Sequence, residues 1–169
     1  MAKLHIEVFD TTKTYKGLKN FDCGNEMINH FVRKSLKKRV KKHLSQAYAL
    51  LENDTFVGFY TLDTFAITRE DFDIQNKPSG LPPMVPVVKI GMLGVAKTLQ
   101  GQGIGNRLLR DAFVKIIKIS QLAGCAGVFL LAEKEAIPFY QALGFIAIRK
   151  TTPLPMFLPI ETLLQIQKK

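Results

Sequence analysis

The segment of the chain best suited to chemistry is a glycine-rich turn, QGQGIG, at residues 100–105. An apolar run precedes the turn and an amphipathic pattern follows it, which predicts a strand leading into a helix. Glycines allow several backbone N–H groups to crowd around one phosphate, and a helix N-terminus adds partial positive charge. The turn therefore predicts a binding site for a pyrophosphate.

The spacing of the glycines excludes two other kinds of phosphate-binding loop. A Walker loop requires Gly-Lys followed by Ser or Thr, and this sequence has no such segment here. A dinucleotide fingerprint requires G-x-G-x-x-G, but its last position falls on Asn106 or Leu108 when counting starts from Gly101 or Gly103. The pattern that does fit is Gln/Arg-x-x-Gly-x-Gly/Ala.

A second segment, AIPFYQALGF at residues 136–145, completes a two-part pattern. The turn and this segment together resemble the GCN5-related N-acetyltransferases (GNAT), in which a pyrophosphate loop precedes an A-x-x-F-Y-x-x-x-G-F segment. The resemblance covers the C-terminal half of the chain. It implies an α/β (α+β) GNAT fold, with a mixed, mostly antiparallel central sheet and helices on both faces, and acetyl-CoA as the cosubstrate.

The resemblance implies a role for each part of this pattern. Backbone amides of Gln102, Gly103, Gly105 and Asn106 would hold the CoA pyrophosphate. The preceding strand would pair with the pantetheine arm and present an amide to the thioester oxygen. Tyr140 would protonate the departing thiolate as a general acid, although its residue type alone also fits a packed aromatic. The implied cofactor-binding residues are Leu93, Gly94, Val95, Gln100, Gly101, Gln102, Gly103, Ile104, Gly105 and Asn106.

Segments in the N-terminal half resemble one particular group of GNAT proteins. Residues 21–32, FDCGNEMINHFV, resemble the F-x-C-G-x-x-x-L-D-x-W-L opening of acetyltransferase toxins that are paired with ribbon-helix-helix antitoxins. Residues 85–95 and 155–159 also resemble segments of these toxins. Membership implies acetylation of the α-amine of aminoacyl-tRNA, an antitoxin partner and a homodimer. The chain departs from the pattern at Phe31, Met92 and Lys97, where these toxins usually have tryptophan, arginine and an acidic residue.

The charge of the chain is consistent with an anionic partner. A net charge of +10, from 24 Lys and Arg against 14 Asp and Glu, attracts polyanions such as nucleic acid. Much of this charge lies between residues 33 and 42, on a predicted helix with an apolar residue at every fourth position from Ile28 to Leu44. Such a run is either a tRNA-binding face or a solvated helix face. The candidate tRNA-binding residues are Arg33, Lys34, Lys37, Lys38 and Lys41.

An α-amine acceptor also agrees with the lack of an obvious catalytic base. The α-amine titrates near ~8, against ~10.4 for lysine, so much of it is already a neutral nucleophile near neutral pH. The sequence shows no strong carboxylate base in either motif. Asp63 or Glu70 could approach the site in the fold.

The remaining pattern predicts the elements that position these residues. Strands are predicted at 4–9, 47–51, 56–65, 87–96, 128–132 and 145–148, with a hairpin turn at 52–54 and a last edge strand at 156–158. Helices are predicted from Asn25 to Leu44, over 103–121 and over 134–143. Residues 70–86 are expected to form a surface loop because of their prolines, Pro78, Pro82, Pro83 and Pro86.

Composition limits the remaining possibilities. A chain of 169 residues, 47% hydrophobic and 22% charged, predicts one soluble globular domain over residues 1–169. No apolar run approaches the roughly 20 residues that span a bilayer, so no membrane association is expected. Cys23 and Cys125 have no metal-ligand spacing and favour a cytoplasmic protein. Two alternatives stay open: an acetyltransferase of a protein or small-molecule amine, and a non-catalytic module that binds CoA or an antitoxin.

Overall fold

Seven strands and five helices make up the part of the chain, residues 3–72 and 79–167, that a computed structural model describes. In chain order they are β1 (Leu4–Val8), α1 (Glu26–Lys34), α2 (Leu36–Lys41), β2 (Gln46–Glu52), β3 (Thr55–Thr68), β4 (Met84–Val95), α3 (Ile104–Leu122), β5 (Gly127–Ala132), α4 (Ile137–Ala142), β6 (Ile146–Ala147), β7 (Leu154–Pro159) and α5 (Ile160–Gln167). Short 3-10 turns lie at Arg69–Asp71, Lys97–Leu99 and Lys134–Ala136.

The strands form one mixed sheet in the order β1-β2-β3-β4-β5-β7-β6. The pair β4–β5 is parallel, whereas β1–β2, β2–β3, β5–β7 and β6–β7 are antiparallel. The predicted mixed, mostly antiparallel sheet is therefore confirmed. The predicted hairpin is also confirmed, because Asn53 and Asp54 connect β2 to β3 with φ values of 47° and 71°. Positive φ at both central residues is the type I′ geometry that matches the twist of paired strands.

The chain divides into two compact units, each with its own hydrophobic core. The first comprises Met1–Asp63 and Gly91–Ala112, and the second comprises Thr64–Ile90 and Phe113–Lys169. The buried aromatic residues of the first core are Phe9, Tyr15, Phe21, Phe56 and Phe59. Those of the second are Phe72, Phe129 and Phe157.

The predicted single helix from Asn25 to Leu44 is wrong in its continuity and its end. The structure has two helices separated at Ser35, and Leu44 lies beyond the second with 54% of its surface exposed. Four-residue spacing advances 400° around a helix that turns 100° per residue, so the apolar stripe drifts by about 40° at each step. A straight helix therefore cannot keep Leu44 on the side of Val32, and the chain breaks and turns away instead.

The prediction that residues 156–158 form an edge strand is also wrong. Strand β7 lies between β5 and β6, and the edge strand at that end of the sheet is the short β6. The prolines that suggested an edge, Pro155 and Pro159, stand near the ends of β7, where the Pro155 carbonyl still accepts the N–H of Ile148 at 3.0 Å. The interior residues Met156 and Phe157 keep their N–H donors and pair with both β5 and β6, and Leu158 pairs with β5.

The proline-rich loop is shorter than predicted at its C-terminal end. Strand β4 begins at Met84, because the carbonyl of Pro86 accepts the N–H of Ala126 at 2.8 Å and extends the sheet. Pro82 and Pro83 precede the strand, as expected of a loop. Residues 73–78, including Pro78, lie outside the described residues.

Candidate active site and basic surface

The glycine loop presents backbone rather than side chains. Gly101 and Gly103 have φ values of +80° and +78°, which L-residues rarely adopt, and a Cβ added at either would meet nothing within 4 Å. Helix α3 follows at Ile104, and the Gly103 carbonyl accepts the Arg107 N–H at 3.1 Å. The first N–H groups of a helix have no partner within it. Open space beside unpaired amides fits the pyrophosphate of a CoA molecule.

Gln100 fixes the start of this loop. Its side-chain amide donates to the carbonyl of Cys23 at 2.7 Å and to that of Val95 at 2.9 Å. Ile104 anchors the other end, with 7% of its surface exposed. Gln102 is exposed, and its amide lies 3.5 Å from the Thr98 carbonyl. The glutamine that opens the motif therefore holds the loop in place, while the glycines leave its amides accessible.

Residues 21–32, FDCGNEMINHFV, contact the start of the glycine loop, where the Cys23 carbonyl accepts the Gln100 side-chain amide. Asn29, fully buried, accepts the Cys23 N–H at 2.8 Å and donates to the Asp22 carboxylate at 2.9 Å. Hydrogen bonds from the Gly24 N–H and the Asn29 amide, together with Lys97, hold the pKa of Asp22 below its usual value. Lys97 lies 3.4 Å from Asp22, so this departure from the toxin pattern ties the segment to the loop.

Strand β4 delivers the residues expected to face the pantetheine arm. It pairs with β5 at Val88↔Val128 and Lys89↔Phe129. The segment Leu93–Val95 follows these paired residues along β4. A Cβ added to Gly94 would lie within 3.3 Å of both Ile28 and Phe59, which accounts for glycine at this position. The departures Met92 and Phe31 both pack against the first core, and the Phe31 ring stacks on Phe59.

Tyr140, the predicted general acid, lies in helix α4 of the second unit. Its ring contacts Phe139 and Phe145 at centroid distances of 5.2 and 5.4 Å. Burial raises the pKa of the Tyr140 hydroxyl above its ordinary value. The group is consequently protonated at neutral pH, which is the form that a general acid requires.

Helices α1 and α2 carry a basic surface. All five candidate tRNA-binding residues, from Arg33 to Lys41, are exposed. A groove of about 380 Å³ lies beside them. The described residues that line it include no acidic residue and six cationic ones, namely Lys13, Lys19, Arg33, Lys34, Lys37 and Lys38. Lys41 lies outside this groove and lines a separate cavity with Asp10 and His43.

Two of the groove cations, Lys13 and Lys19, were missed in the sequence because they belong to the loop between β1 and α1. Nothing in their spacing relates them to a helix that begins at Glu26. A search of the whole chain for clusters of basic residues could have suggested them, since lysine recurs at every third position from Lys13 to Lys19. Only the fold shows which of the three line the groove.

The described residues hold neither a group of His, Cys, Asp and Glu side chains arranged for a metal ion nor a helix able to cross a membrane. Both described cysteines are free thiols, and burial raises the pKa of each. Glu70, one of the two possible bases, is exposed and lies 3.8 Å from Arg69. The other, Asp63, is largely buried.

Residues 43–147 match the family model described as an acetyltransferase (GNAT) domain. The chain belongs to the GNAT family. It is therefore an N-acetyltransferase that uses acetyl-CoA as its cosubstrate, and the matched residues include the glycine loop, β4 and Tyr140.

Relatives of this GNAT chain match it over most of its length. It is 30% identical to a probable toxin TacT of Sinorhizobium fredii, over 96% of the chain and 94% of the relative. It is 27% identical to a tRNA-acetylating toxin of Mycobacterium tuberculosis, over 82% of the chain and 83% of that protein.

Solved structures extend the comparison. A bacterial toxin, 33% identical, superposes with a TM-score of 0.94 over 99% of this chain and 97% of that one. The toxin AtaT in complex with acetyl-methionyl-tRNAfMet is 28% identical, with a TM-score of 0.86 over 99% and 100% of the two chains. A mutant AtaT bound to the C-terminus of the antitoxin AtaR and to acetyl-CoA is 27% identical, with a TM-score of 0.83 over 98% and 99%.

Proposed function

We propose that this acetyltransferase transfers acetyl from acetyl-CoA to the α-amine of aminoacyl-tRNA, and that it acts as the toxin of a toxin–antitoxin pair. The observation that carries the proposal is the groove whose described lining has six cations and no carboxylate, in a chain whose relatives include a tRNA-acetylating toxin. A polyanion is the class of substrate that such a groove attracts. Within the described part of the chain, the lining of the same groove has no acidic residue to bind a small cationic amine.

In the proposed reaction, backbone amides and the Tyr140 side chain have different roles. Amides of Gln102, Gly103, Gly105 and Asn106 would hold the pyrophosphate, and an amide of the Leu93–Val95 segment would stabilise the oxyanion. As the amine nitrogen bonds to the acetyl carbon, the carbon–sulfur bond breaks and the Tyr140 hydroxyl gives its proton to the thiolate. The nitrogen loses one proton to water, and the Tyr140 phenolate regains one proton from water, so the products are the amide and free CoA thiol.

The basic surface would bind the tRNA backbone. Lys34, Lys37 and Lys38 are exposed and line the groove, where each could neutralise one phosphate. Arg33 also lines the groove, while one of its guanidinium nitrogens donates to the Phe21 carbonyl at 3.2 Å. That hydrogen bond pre-positions the arginine for a phosphate. Lys41 would contact RNA outside the groove.

The toxin proposal brings further partners with it. We expect a ribbon-helix-helix antitoxin and a homodimer, because the resemblance to acetyltransferase toxins implies both. We expect a cytoplasmic location because the proposed substrate is a cytoplasmic RNA. Helix α5 offers a surface for one of these contacts: Leu163 is fully buried, whereas Leu164 is 39% exposed. A monomer in sedimentation at micromolar concentration would contradict the homodimer.

The decisive experiment measures acetyl transfer from labelled acetyl-CoA to total charged tRNA, for the wild type and for Tyr140→Phe. The wild type should label aminoacyl-tRNA, and the variant should lose about 100-fold or more in rate because it has no acidic proton to give. Since burial raises the pKa of Tyr140, any loss of activity caused by its deprotonation should appear only above about pH 10.

The other outcomes separate the alternatives. If the protein binds the cofactor and labels a protein or a small amine but no charged tRNA, the substrate is that amine and not aminoacyl-tRNA. Cofactor binding without transfer to any amine would indicate a non-catalytic module. Full activity in Tyr140→Phe would remove the acid role and leave the substrate assignment intact.

A further inference from the structure

The hydroxyl of Thr61 is a buried polar group that holds strand β4 in place. Thr61 lies in β3, with 1% of its surface exposed. Its Oγ1 atom accepts the N–H of Met92 at 2.9 Å. In a regular ladder, a strand N–H donates to a backbone carbonyl of the neighbouring strand. The position of β4 at Met92 therefore depends on the identity and the rotamer of residue 61 as well as on the backbone of β3.

Two glycines of β4, on either side of Met92, let neighbouring side chains approach the strand closely. A Cβ added to Gly91 would lie 2.8 Å from Oγ1 of Thr61, which is too close for either atom to stay where it is. A Cβ added to Gly94 would lie 3.3 Å from the ring of Phe59. Glycine inside a strand is typical of such close approaches. The stretch of β4 between the two glycines is therefore closely confined by its neighbours.

Hydrogen bonds on either side of Leu93 set the direction of its amide. The Met92 N–H points toward β3, where Thr61 accepts it. The Ala96 N–H also points toward β3, where the Val57 carbonyl accepts it at 2.8 Å. Alternate N–H groups along a strand point to one side, and the intervening ones point to the other. The N–H of Leu93 therefore points away from β3, which is the direction that an amide needs if it is to meet a ligand.

We propose that Thr61 is a positioning residue for acetyl transfer, whose hydroxyl fixes Met92 so that the amide of Leu93 is aligned with the thioester oxygen. This assignment rests on the proposed function, in which the Leu93–Val95 segment supplies the amide that stabilises the oxyanion. Thr61 acts through β4 and forms or breaks no covalent bond. Negative charge develops on the oxygen in the transition state, so the alignment contributes to kcat more than to the binding of acetyl-CoA.

The test compares Thr61→Val, which keeps the shape of the side chain and removes the hydroxyl, with Thr61→Ser, which keeps the hydroxyl. Thr61→Val should lower kcat for acetyl transfer to charged tRNA about 10-fold, because a misaligned amide stabilises the oxyanion less well. CoA affinity in calorimetric titration and the KM for charged tRNA should stay within about two-fold of the wild-type values. Thr61→Ser should restore most of the wild-type kcat.

Gly91→Ala tests the same contact from β4. Its Cβ would displace the Thr61 hydroxyl while the hydroxyl itself remains in the protein. This variant should lower kcat about 5- to 10-fold, again with CoA affinity unchanged. It also keeps the proposal testable if Thr61→Val does not fold, because no buried N–H loses its acceptor group from the chain.

The matched control is Thr64→Val, the same substitution at an exposed position of the same strand, which should keep the wild-type kcat. Wild-type kcat in Thr61→Val and Gly91→Ala would overturn the proposal, as would an equal loss in Thr61→Ser. A loss of CoA affinity as large as the loss of kcat would also overturn it. If the wild type labels another amine instead of charged tRNA, the proposed substrate fails, and the same comparison with that amine still decides the role of Thr61. If the wild type labels no amine, both proposals fail.

Discussion

The glycine loop and helices α1 and α2, all in the first unit, are both proposed to bind phosphate groups, but they present different chemical groups to them. In the loop, Gln100 and Ile104 turn their side chains into the protein and leave the backbone amides exposed. In the helices, the groups presented to solvent are side chains, those of Lys37 and Lys38 among them. An anion at the loop would be held by backbone geometry, and an anion on the helices by mobile charges.

This difference determines how each region tolerates change. The loop depends on a few positions where only glycine adopts the required φ and leaves room for the ligand. The basic surface depends on a sum of similar contributions, so no single lysine is indispensable. Substitutions should therefore act sharply in the loop and gradually on the helices. The predictions below test that contrast, beginning with the largest expected effect.

Gly103→Val should weaken acetyl-CoA binding by about 100-fold, because it fills the space beside the amides and removes the equivalent of two hydrogen bonds to a charged group. Calorimetric titration with CoA measures the change. The control is Gly80→Val, since Gly80 has a similar φ of +74° and equally open surroundings. Equal losses in both variants would show that backbone strain, rather than the ligand site, causes the effect.

Lys37→Glu combined with Lys38→Glu should lower kcat/KM for charged tRNA roughly 10- to 30-fold at low salt and reduce the salt dependence by about two units of log–log slope. Acetyl-CoA affinity should not change. The control is Lys118→Glu with Lys150→Glu, which makes the same change in net charge at two exposed lysines outside the groove. A comparable loss of kcat/KM in the control would indicate a general effect of net charge rather than a local binding site.

Gln100→Ala should lower the free energy of unfolding by about 1–3 kcal/mol, because it removes two hydrogen bonds that fix the loop. Acetyl-CoA binding should weaken only a few-fold, since the glycine amides remain. Urea titration and CoA titration measure the two effects. Gln102→Ala is the control, because the Gln102 amide is exposed and its one contact is 3.5 Å long. If Gln102→Ala destabilises the protein equally, Gln100 is not the anchor.

The elements that form locally were predictable from the sequence. Alternation and turn residues predicted β1, the β2–β3 hairpin and β5 to within a few residues, and the amphipathic pattern predicted α3. Those signals depend on neighbouring residues along the chain. The break at Ser35 and the interior position of β7 were not predicted, because each depends on packing against distant segments rather than on propensity.

By itself, the sequence predicted the positions at which the backbone would bind a pyrophosphate, since glycines at 101, 103 and 105 allow backbone conformations that other residues rarely adopt. It also determined the charge and the identity of the proposed acid, Tyr140. Only the tertiary structure placed Lys13 and Lys19 in one groove with α1 and α2, and only it left Oδ1 of Asp63 buried without a donor from the described residues. Such features arise where segments far apart in the chain come into contact. Exclusion of water there makes an unpaired oxygen energetically unfavourable and strengthens the field of neighbouring charges.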